Sequence, residues 1–450
     1  MPNTTPRAQL LFVTLGCAKN EVDTDRMRAR LLASGFAEAA GVDDADAVLV
    51  NTCSFLASAT SESIEVTLDL AEEAAGGVRT KPIVMCGCVP SRYGSDLVPE
   101  LPEVQAFVPV DEEDGIVGVV ERVLGLEGGN ACANAVLRTV EGASAYVKIS
   151  DGCDRYCSFC AIPYIRGRYA SRPYDEIASE VQALLEGGVR EIVIIGQDTG
   201  VWGKDLGEGD TLASLLVRLG ALAQPFDAWL RVLYLQPEGM TDELIAAIRD
   251  TPCVLPYIDI PIQHCNERVL HAMNRHGSAQ QYAELFARLR REIPGMVLRS
   301  TAMAGFPGET EEESDELYAF IQAQELDYCS VFAYSQEDGT RAAGMDGQVS
   351  DQVKAERTQA LVDLTEQLGF AATASHVGEL ADVIIDGVEE GPDGVELIGH
   401  AWFQAPDSDG AVHIAQGEAA VGDKVRVRLV DSFCYELVGQ LVDEERGGER

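Results

Sequence analysis

The chain has 450 residues, 46% hydrophobic and 24% charged, and its 34 Lys and Arg against 74 Asp and Glu leave a net charge of −40. At about 150 residues per domain this is a chain of about three domains, and its apolar content excludes wholesale disorder. The acidic excess excludes nucleic-acid binding by bulk electrostatics, which draws its affinity from Lys and Arg. No apolar run reaches the ~18 residues of a bilayer span, and the start, MPNTTPRAQLLFVTLGCAKN, has too short an apolar stretch for a signal peptide, so a cytoplasmic protein without a membrane partner is expected.

Residues 8–124 alternate short apolar strands with amphipathic helices. Gln9 to Thr14 precedes a helix through Arg26 to Ala33, and Ala47 to Thr52 precedes Ser58 to Ala75. Pro82 to Cys86 precedes a mixed stretch that ends in a helix near Gly115 to Leu124. This βαβα order predicts a doubly wound parallel sheet with helices on its faces. Residues 125–143, including GLEGGNACAN, are Gly-rich and weakly periodic and read as a linker.

Over residues 144–371 the rhythm resumes, with strands expected near 145–149, 191–196, 229–235, 256–261, 296–304 and 328–334, and a closing helix from Gln352 to Gly369. Parallel strands in βα units predict a partial (β/α)6 barrel with its chemistry at the C-terminal strand ends. Residues 372–442 turn to short β runs: Ala381 to Ile385, Val395 to Ile398, Ala411 to Ile414, Lys424 to Val430 and Cys434 to Val438. They predict a small all-β barrel of the oligonucleotide-binding type, so the fold class is α/β multidomain.

The chain holds 12 cysteines. Disulfide frameworks belong to small secreted domains, so metal or redox chemistry is the better expectation. The spacing Cys153-x3-Cys157-x2-Cys160 follows the strand AYVKI. Three thiolates on one tight loop can hold three irons of a [4Fe-4S] cube and leave the fourth iron open. A structural zinc loop would ask for a fourth ligand, and no His or fourth Cys lies in this segment. An open iron can chelate the amino and carboxylate groups of S-adenosylmethionine, so that one electron cleaves the sulfonium into methionine and a 5′-deoxyadenosyl radical.

A second set is spread along the chain: Cys17 after the first strand, Cys53 in VLVNTCSF and Cys88 in IVMCGCVP. The C-terminal ends of parallel strands lie along one edge, so these three can converge and again leave one iron open. Cys86 competes with Cys88, but it falls within the apolar strand run, whereas Cys88 lies past Gly87. Cys132, Cys253, Cys265, Cys329 and Cys434 show no ligand spacing and are assigned to packing or linker. His264, in DIPIQHCN at a strand end, either lines a site or makes a structural hydrogen bond. GFPGET at 305–310 reads as a turn with Thr310 starting a helix, a cavity-lining role being the alternative.

The segment KISDGCDRYCSFCAIP resembles the radical-SAM superfamily, and by that resemblance Phe159 packs near the adenine of S-adenosylmethionine, an apolar side chain shielding the cluster being the alternative reading. From about residue 8 to 441 the chain resembles the methylthiotransferase family, through LGCAKNEVD, NTCSF, GCVPSRY, IPYIRGRYASRP, PYIDIPIQH, GFPGETEEE and VFAYSQEDGT. The last barrel, ending DSFCYELVG, is similar to that family's TRAM domain. The resemblance implies two [4Fe-4S] clusters, an auxiliary one on Cys17, Cys53 and Cys88 and a radical one on Cys153, Cys157 and Cys160. It also implies an enzyme that inserts sulfur at an unactivated C–H bond and caps it with methyl. S-adenosylmethionine serves as radical source and methyl donor, an electron donor such as flavodoxin or ferredoxin supplies reduction, and a further partner supplies sulfur.

Two branches of the family differ in substrate. IGQDTGVWGKDL and GHAWFQAPDSDG resemble the branch that modifies the β-carbon of an aspartate in small-subunit ribosomal protein twelve; the branch that modifies a transfer RNA adenosine tends to Gln-Asn-Val at the first place. Tyr164, the stretch MNRHGS at 273–278 and His400, where Arg is common, depart from the first branch's pattern and touch substrate contacts rather than clusters. Charge gives a separate vote. Residues 371–450 hold 5 Lys and Arg and 17 Asp and Glu, a net −12, which suits a basic protein partner better than RNA, although solubility alone also favours acidic surface. In contrast Lys148, Arg155, Arg166, Arg168 and Arg172 outnumber Asp151 and Asp154, giving 148–172 a net +3 that can offset cluster thiolates and substrate carboxylates. Ribosomal-protein methylthiolation is the leading expectation. Transfer RNA methylthiolation and a non-catalytic iron–sulfur electron-transfer or scaffold protein are the alternatives.

Overall fold

A computed structural model describes residues 6–76, 80–126, 137–140, 142–207, 209–391, 394–415 and 417–442. Cys132 and most of the expected linker lie outside the described residues. The chain forms two compact units: Met1–Val140 with Ser150–Ala170 and Ser335–Ala343, and Glu141–Ile149 with Ser171–Tyr334 and Gly344–Arg450.

The first unit opens with β1 (Gln9–Thr14), α1 (Ala18–Ala33), β2 (Ala37–Glu38), β3 (Ala47–Thr52), α2 (Ala57–Ala75), β4 (Ile83–Gly87), α3 (Cys88–Tyr93), β5 (Val104–Pro109) and α4 (Ile116–Leu124). Its strands pair in parallel in the order β2-β1-β3-β4-β5, a doubly wound order whose switch point lies between β1 and β3. Alternate side chains feed two cores: Leu10, Leu49 and Val84 on one face, Val48, Val50, Ile83 and Met85 on the other. The central strands β3 and β4 are therefore buried at every position. The sequence pattern misses β2, which is two residues long, and β5, where Gln105 is exposed and burial is incomplete.

β6 (Ser144–Lys148) starts the second unit, and the following loop carries β7 (Ser150–Asp151), α5 (Ile162–Ile165) and β8 (Ala170–Ser171). Then come α6 (Tyr174–Glu186), β9 (Glu191–Ile195), α7 (Leu212–Ala223), β10 (Trp229–Val232), α8 (Asp242–Asp250) and β11 (Val254–Asp259). They are followed by α9 (Glu267–Ala272), α10 (Ala279–Glu292), β12 (Val297–Ala304), α11 (Glu311–Gln324), β13 (Tyr328–Ala333) and α12 (Asp351–Ser375). The strands run β13-β12-β11-β10-β9-β6 in one open parallel sheet, the expected partial (β/α)6 barrel. β10 stops at Val232, short of the expected 235, and Tyr234 has φ +61°, a left-handed conformation that a strand cannot carry.

Thr310 is the N-cap of α11. Its hydroxyl accepts the Glu313 N–H at 3.3 Å, and the Glu313 carboxylate accepts the Thr310 N–H at 2.9 Å, a reciprocal capping box. Thr310→Ala is expected to cost about 1 kcal/mol, read as a lower urea midpoint with unchanged slope; an unmoved midpoint would remove the cap from the account.

The chain ends in a closed barrel, β14 (Leu380–Gly391), β15 (Gly394–Ala401), β16 (Val412–Ile414), β17 (Lys424–Phe433) and β18 (Glu436–Leu441), ordered β14-β15-β16-β18-β17. Val383, Leu397, Val412, Ile414, Val427, Leu429 and Leu437 are its buried apolar core. The last strand begins at Glu436 rather than at the expected Cys434, which is exposed with φ +54° in the turn before it. Among the described residues no helix is long and apolar enough to cross a membrane.

Candidate functional site

Cys17 is the N-cap of α1, Cys53 follows β3, and Cys88 is the first residue of α3 directly after β4. Since β1, β3 and β4 are neighbours, the three thiols share one sheet edge across the switch point. A Cβ on Gly16 would stand 2.6 Å from the Cys53 Cβ and 3.0 Å from its Sγ, so the loop bearing Cys17 runs directly against Cys53. Each thiol lies within electrostatic reach of the other two.

Buried amides tie these loops together. Asn20 Nδ2 donates to the Thr52 carbonyl at 2.8 Å, and Asn51 Nδ2 donates to the Asn20 carbonyl at 2.9 Å and to Thr24 Oγ1 at 3.0 Å. Thr52 Oγ1 donates to the Cys86 carbonyl at 2.6 Å and accepts the Val89 N–H at 3.2 Å, while the Cys53 N–H donates to Ser63 Oγ at 3.1 Å. Gly87 has φ +90°, and a Cβ there would fall 2.1 Å from Asn51 Oδ1, so only glycine lets β4 approach this frame. Fully paired buried amides rigidify the edge that carries the thiols. Sequence reasoning missed Asn20, Asn51 and Ser63, although AKN and NTC both carried the signal.

Burial pushes the Cys53 thiol up and the Cys88 thiol to about 11, with Arg166 pulling both back. Both are therefore neutral near pH 7 until a metal takes the place of the proton. Cys86 is different. It is fully buried among Leu10, Leu49 and Val84 in the core beneath the sheet.

The second triplet lies in the same unit. Gly152, with φ +70°, brings its Cα so near the Arg168 carbonyl that a Cβ would stand 2.2 Å from that oxygen. The Cys153 N–H donates to the Gly167 carbonyl at 3.2 Å, and the Cys160 N–H to the Cys157 carbonyl at 3.0 Å, so the loop doubles back on itself. Tyr156 takes φ +49° inside it, and Phe159 is half-buried. Ala161 and Ile165, just past the triplet, pack against Cys88. Among the described residues no three Cys, His, Asp or Glu side chains close round a single ion. A tetrahedral zinc site holds its sulfurs about 3.8 Å apart, whereas each thiolate of a cube meets its own iron and stands farther from the next.

In the second unit the strand ends present polar atoms without hydrogen-bond partners among the described residues: the Gln197 amide N and O and Thr199 Oγ1 after β9, and His264 Nε2 after β11. His264 Nδ1 accepts the Asn266 N–H at 3.0 Å, and burial pulls the imidazole down to about 4, so Nε2 carries the hydrogen. Glu309 Oε2 stands 3.9 Å away, beyond a hydrogen bond. Each such buried orphan costs about 1–3 kcal/mol, so these donors and acceptors fit a polar ligand such as S-adenosylmethionine. His264 thus makes its structural bond with one nitrogen and leaves the other open.

Residues 9–109 match the uncharacterized protein family UPF0004, residues 147–321 the radical SAM superfamily, and residues 377–442 the TRAM domain. The ribosomal protein uS12 methylthiotransferase RimO of Trichlorobacter lovleyi is 37% identical over 97% of this chain and 99% of its own. RimO of Geobacter sulfurreducens is 39% identical over the same shares, 97% and 99%. The chain belongs to the RimO family. Its radical-SAM domain, residues 147–321, is of the kind that works with an iron–sulfur cluster and S-adenosylmethionine. The fold is shared more widely: the radical S-adenosylmethionine methyltransferase TsrM of Kitasatospora setae superposes with a TM-score of 0.54 at 13% identity, over 84% of this chain and 77% of that one.

Proposed function

We infer that this RimO-family chain is a radical methylthiotransferase that places a methylthio group on the β-carbon of an aspartate in ribosomal protein uS12, the small-subunit protein twelve. The observation that carries this reading is the full-length similarity to RimO relatives in a chain whose two cysteine triplets share one compact unit. Cys17, Cys53 and Cys88 hold an auxiliary [4Fe-4S] cluster, and Cys153, Cys157 and Cys160 hold the radical one. When bound, the clusters and S-adenosylmethionine supply a hydrogen-abstracting radical, the sulfur and the methyl group.

The chain's own residues do the rest. The amide frame of Asn20 and Asn51 fixes the first triplet, the doubled-back loop fixes the second, and Phe159 packs near the adenine. Gln197, Thr199 and His264 offer the cofactor its polar partners. Residues 8–124, 144–371 and 372–442 divide the work as methylthiotransferase, radical-SAM and TRAM domains, with 125–143 as linker. A flavodoxin or ferredoxin, a sulfur source and a cytoplasmic setting complete the reading, and the net −12 of the last 80 residues suits a basic ribosomal protein.

Peptide mass spectrometry of uS12 from a strain lacking the gene, and from the same strain carrying it back, tests the substrate. The methylthio mass is expected to vanish and return with the gene. A uS12 peptide that keeps its methylthio group while a transfer RNA adenosine loses one would transfer the activity to the other branch.

A further inference from the structure

Arg166 is a residue of the radical loop whose charge reaches thiols of the other triplet, Cys53 and Cys88. Its side chain is 2% exposed. One terminal nitrogen donates to Asp23 at 3.0 Å and to Asp151 at 3.3 Å; the other donates to Asn20 Oδ1 at 3.4 Å and to Cys88 Sγ at 3.7 Å. Asn20 and Asp23 stand three residues apart on the first turns of α1, so both face the side on which Cys17 caps that helix. The next residue, Gly167, supplies the carbonyl that holds the Cys153 N–H. Arg166 therefore belongs by its backbone to the radical loop and by its guanidinium to the auxiliary site.

We propose that Arg166 is a positioning residue that sets the reduction potential of the auxiliary cluster through Cys88, with Asp23 as its counterweight. The inference rests on the reading of Cys17, Cys53 and Cys88 as ligands. A hydrogen bond from a cation to a ligating sulfur stabilises the more negative, reduced cluster and so raises its potential. Asp23, itself 2% exposed, pairs the same guanidinium and opposes that effect. The consequence for the reaction lies in electron count. When a carbon radical bonds to a sulfur that brings its own electron pair, one electron is left over. A site whose reduced form is stabilised by a fixed cation is suited to accept that electron. A salt bridge that only held the loop in place, without its charge reaching the cluster sulfur, would leave the potential unchanged.

That sign is the test. In the full chain with Cys153, Cys157 and Cys160 replaced by Ala, only the auxiliary cluster remains, and its midpoint potential is read by electron paramagnetic resonance during potentiometry. Arg166→Gln is expected to make reduction harder by tenfold or more in the equilibrium constant, at least 59 mV for one electron. Asp23→Asn is expected to move the potential the opposite way, and Arg166→Lys, which keeps the charge but loses the fork, to fall between wild type and Arg166→Gln. Full iron with unchanged potentials, or shifts of the same sign in Arg166→Gln and Asp23→Asn, would overturn the role of Arg166 while leaving the ligand reading intact. A background protein that holds no iron at all would overturn the ligand reading and this inference together. If Arg166→Gln loses its irons, the opposite shifts of Asp23→Asn and Arg166→Lys decide the matter.

Discussion

With Cys153, Cys157 and Cys160 replaced by Ala, the anaerobically reconstituted protein is expected to drop from about eight irons per chain to about four and to form no 5′-deoxyadenosine from S-adenosylmethionine. The physical basis is that each triplet has its own backbone frame, the two meeting through Arg166 and through Ala161 and Ile165 against Cys88. The first is framed by Asn20, Asn51, Thr52 and Ser63, none of which bonds to the radical loop's cysteines in the contacts above. The second is shaped by its own turn and by the Gly167 carbonyl. The converse protein, with Cys17, Cys53 and Cys88 replaced by Ala, is expected to keep about four irons and to make 5′-deoxyadenosine, yet leave uS12 without its methylthio group. Iron analysis with chromatography of the nucleoside product reads both. Eight irons surviving in either protein would break the ligand assignment, and 5′-deoxyadenosine from the first would move the radical chemistry elsewhere.

The sequence makes some of this architecture readable and hides the rest for definable reasons. Strands β3, β4 and β9 are covered on both faces, so they appear as apolar runs, interrupted only by Asn51 and Thr52 at the end of β3 and Glu191 at the start of β9, and their limits can be read nearly to the residue. The radical triplet is legible because its three cysteines lie within one short loop. The auxiliary triplet is legible only through topology, as three cysteines each placed after a strand. What pattern does not reveal is pairing at a distance: Asn20 with Asn51 across 31 residues, and Arg166 with Cys88 across 78. In the sequence Arg166 counts only as one unit of a local positive balance. Backbone exceptions are equally silent, since neither Tyr234 nor Cys434 is a residue type that announces a positive φ.

His400 shows how a departure noticed in sequence gains a physical meaning. It lies on β15 of the terminal barrel, and its Nε2 meets Glu191 Oε2, at the start of β9, at 2.5 Å, while its Nδ1 meets Asp386 Oδ2 at 2.6 Å. Glu191 Oε1 takes the Arg231 Nε–H at 2.6 Å, and the Arg231 guanidinium lies 4.5 Å over the Tyr257 ring. Glu191 and Arg231 are wholly buried, and among the described residues both terminal nitrogens of Arg231 lack hydrogen-bond partners. Glu191→Gln would strand the buried Arg231 charge, so a loss of about 3–5 kcal/mol is expected, among the largest for any single change in this unit.

The same network makes stability depend on pH, with a sign that can be worked out. Burial disfavours the charged imidazole, but Glu191 and Asp386 overcome it and push His400 from 6.5 up to about 9. A raised value means that its contribution is complete below pH 6.5 and fades as pH rises toward 9. Burial likewise opposes ionisation of Glu191, but Arg231 and His400 hold it below its ordinary 4.5, so its contribution is complete above that value and fades as pH falls. Unfolding midpoints should therefore be level between 4.5 and 6.5 as far as this network decides them, and fall on the alkaline side. His400→Arg is the decisive variant, since it keeps the charge at any pH. It is expected to abolish the alkaline fall, while fitting the longer side chain into the buried His400 site costs about 1–3 kcal/mol at every pH and so leaves the shape of the profile to report the charge. An alkaline fall unchanged in His400→Arg would place its origin outside the pair that joins β9 to the terminal barrel.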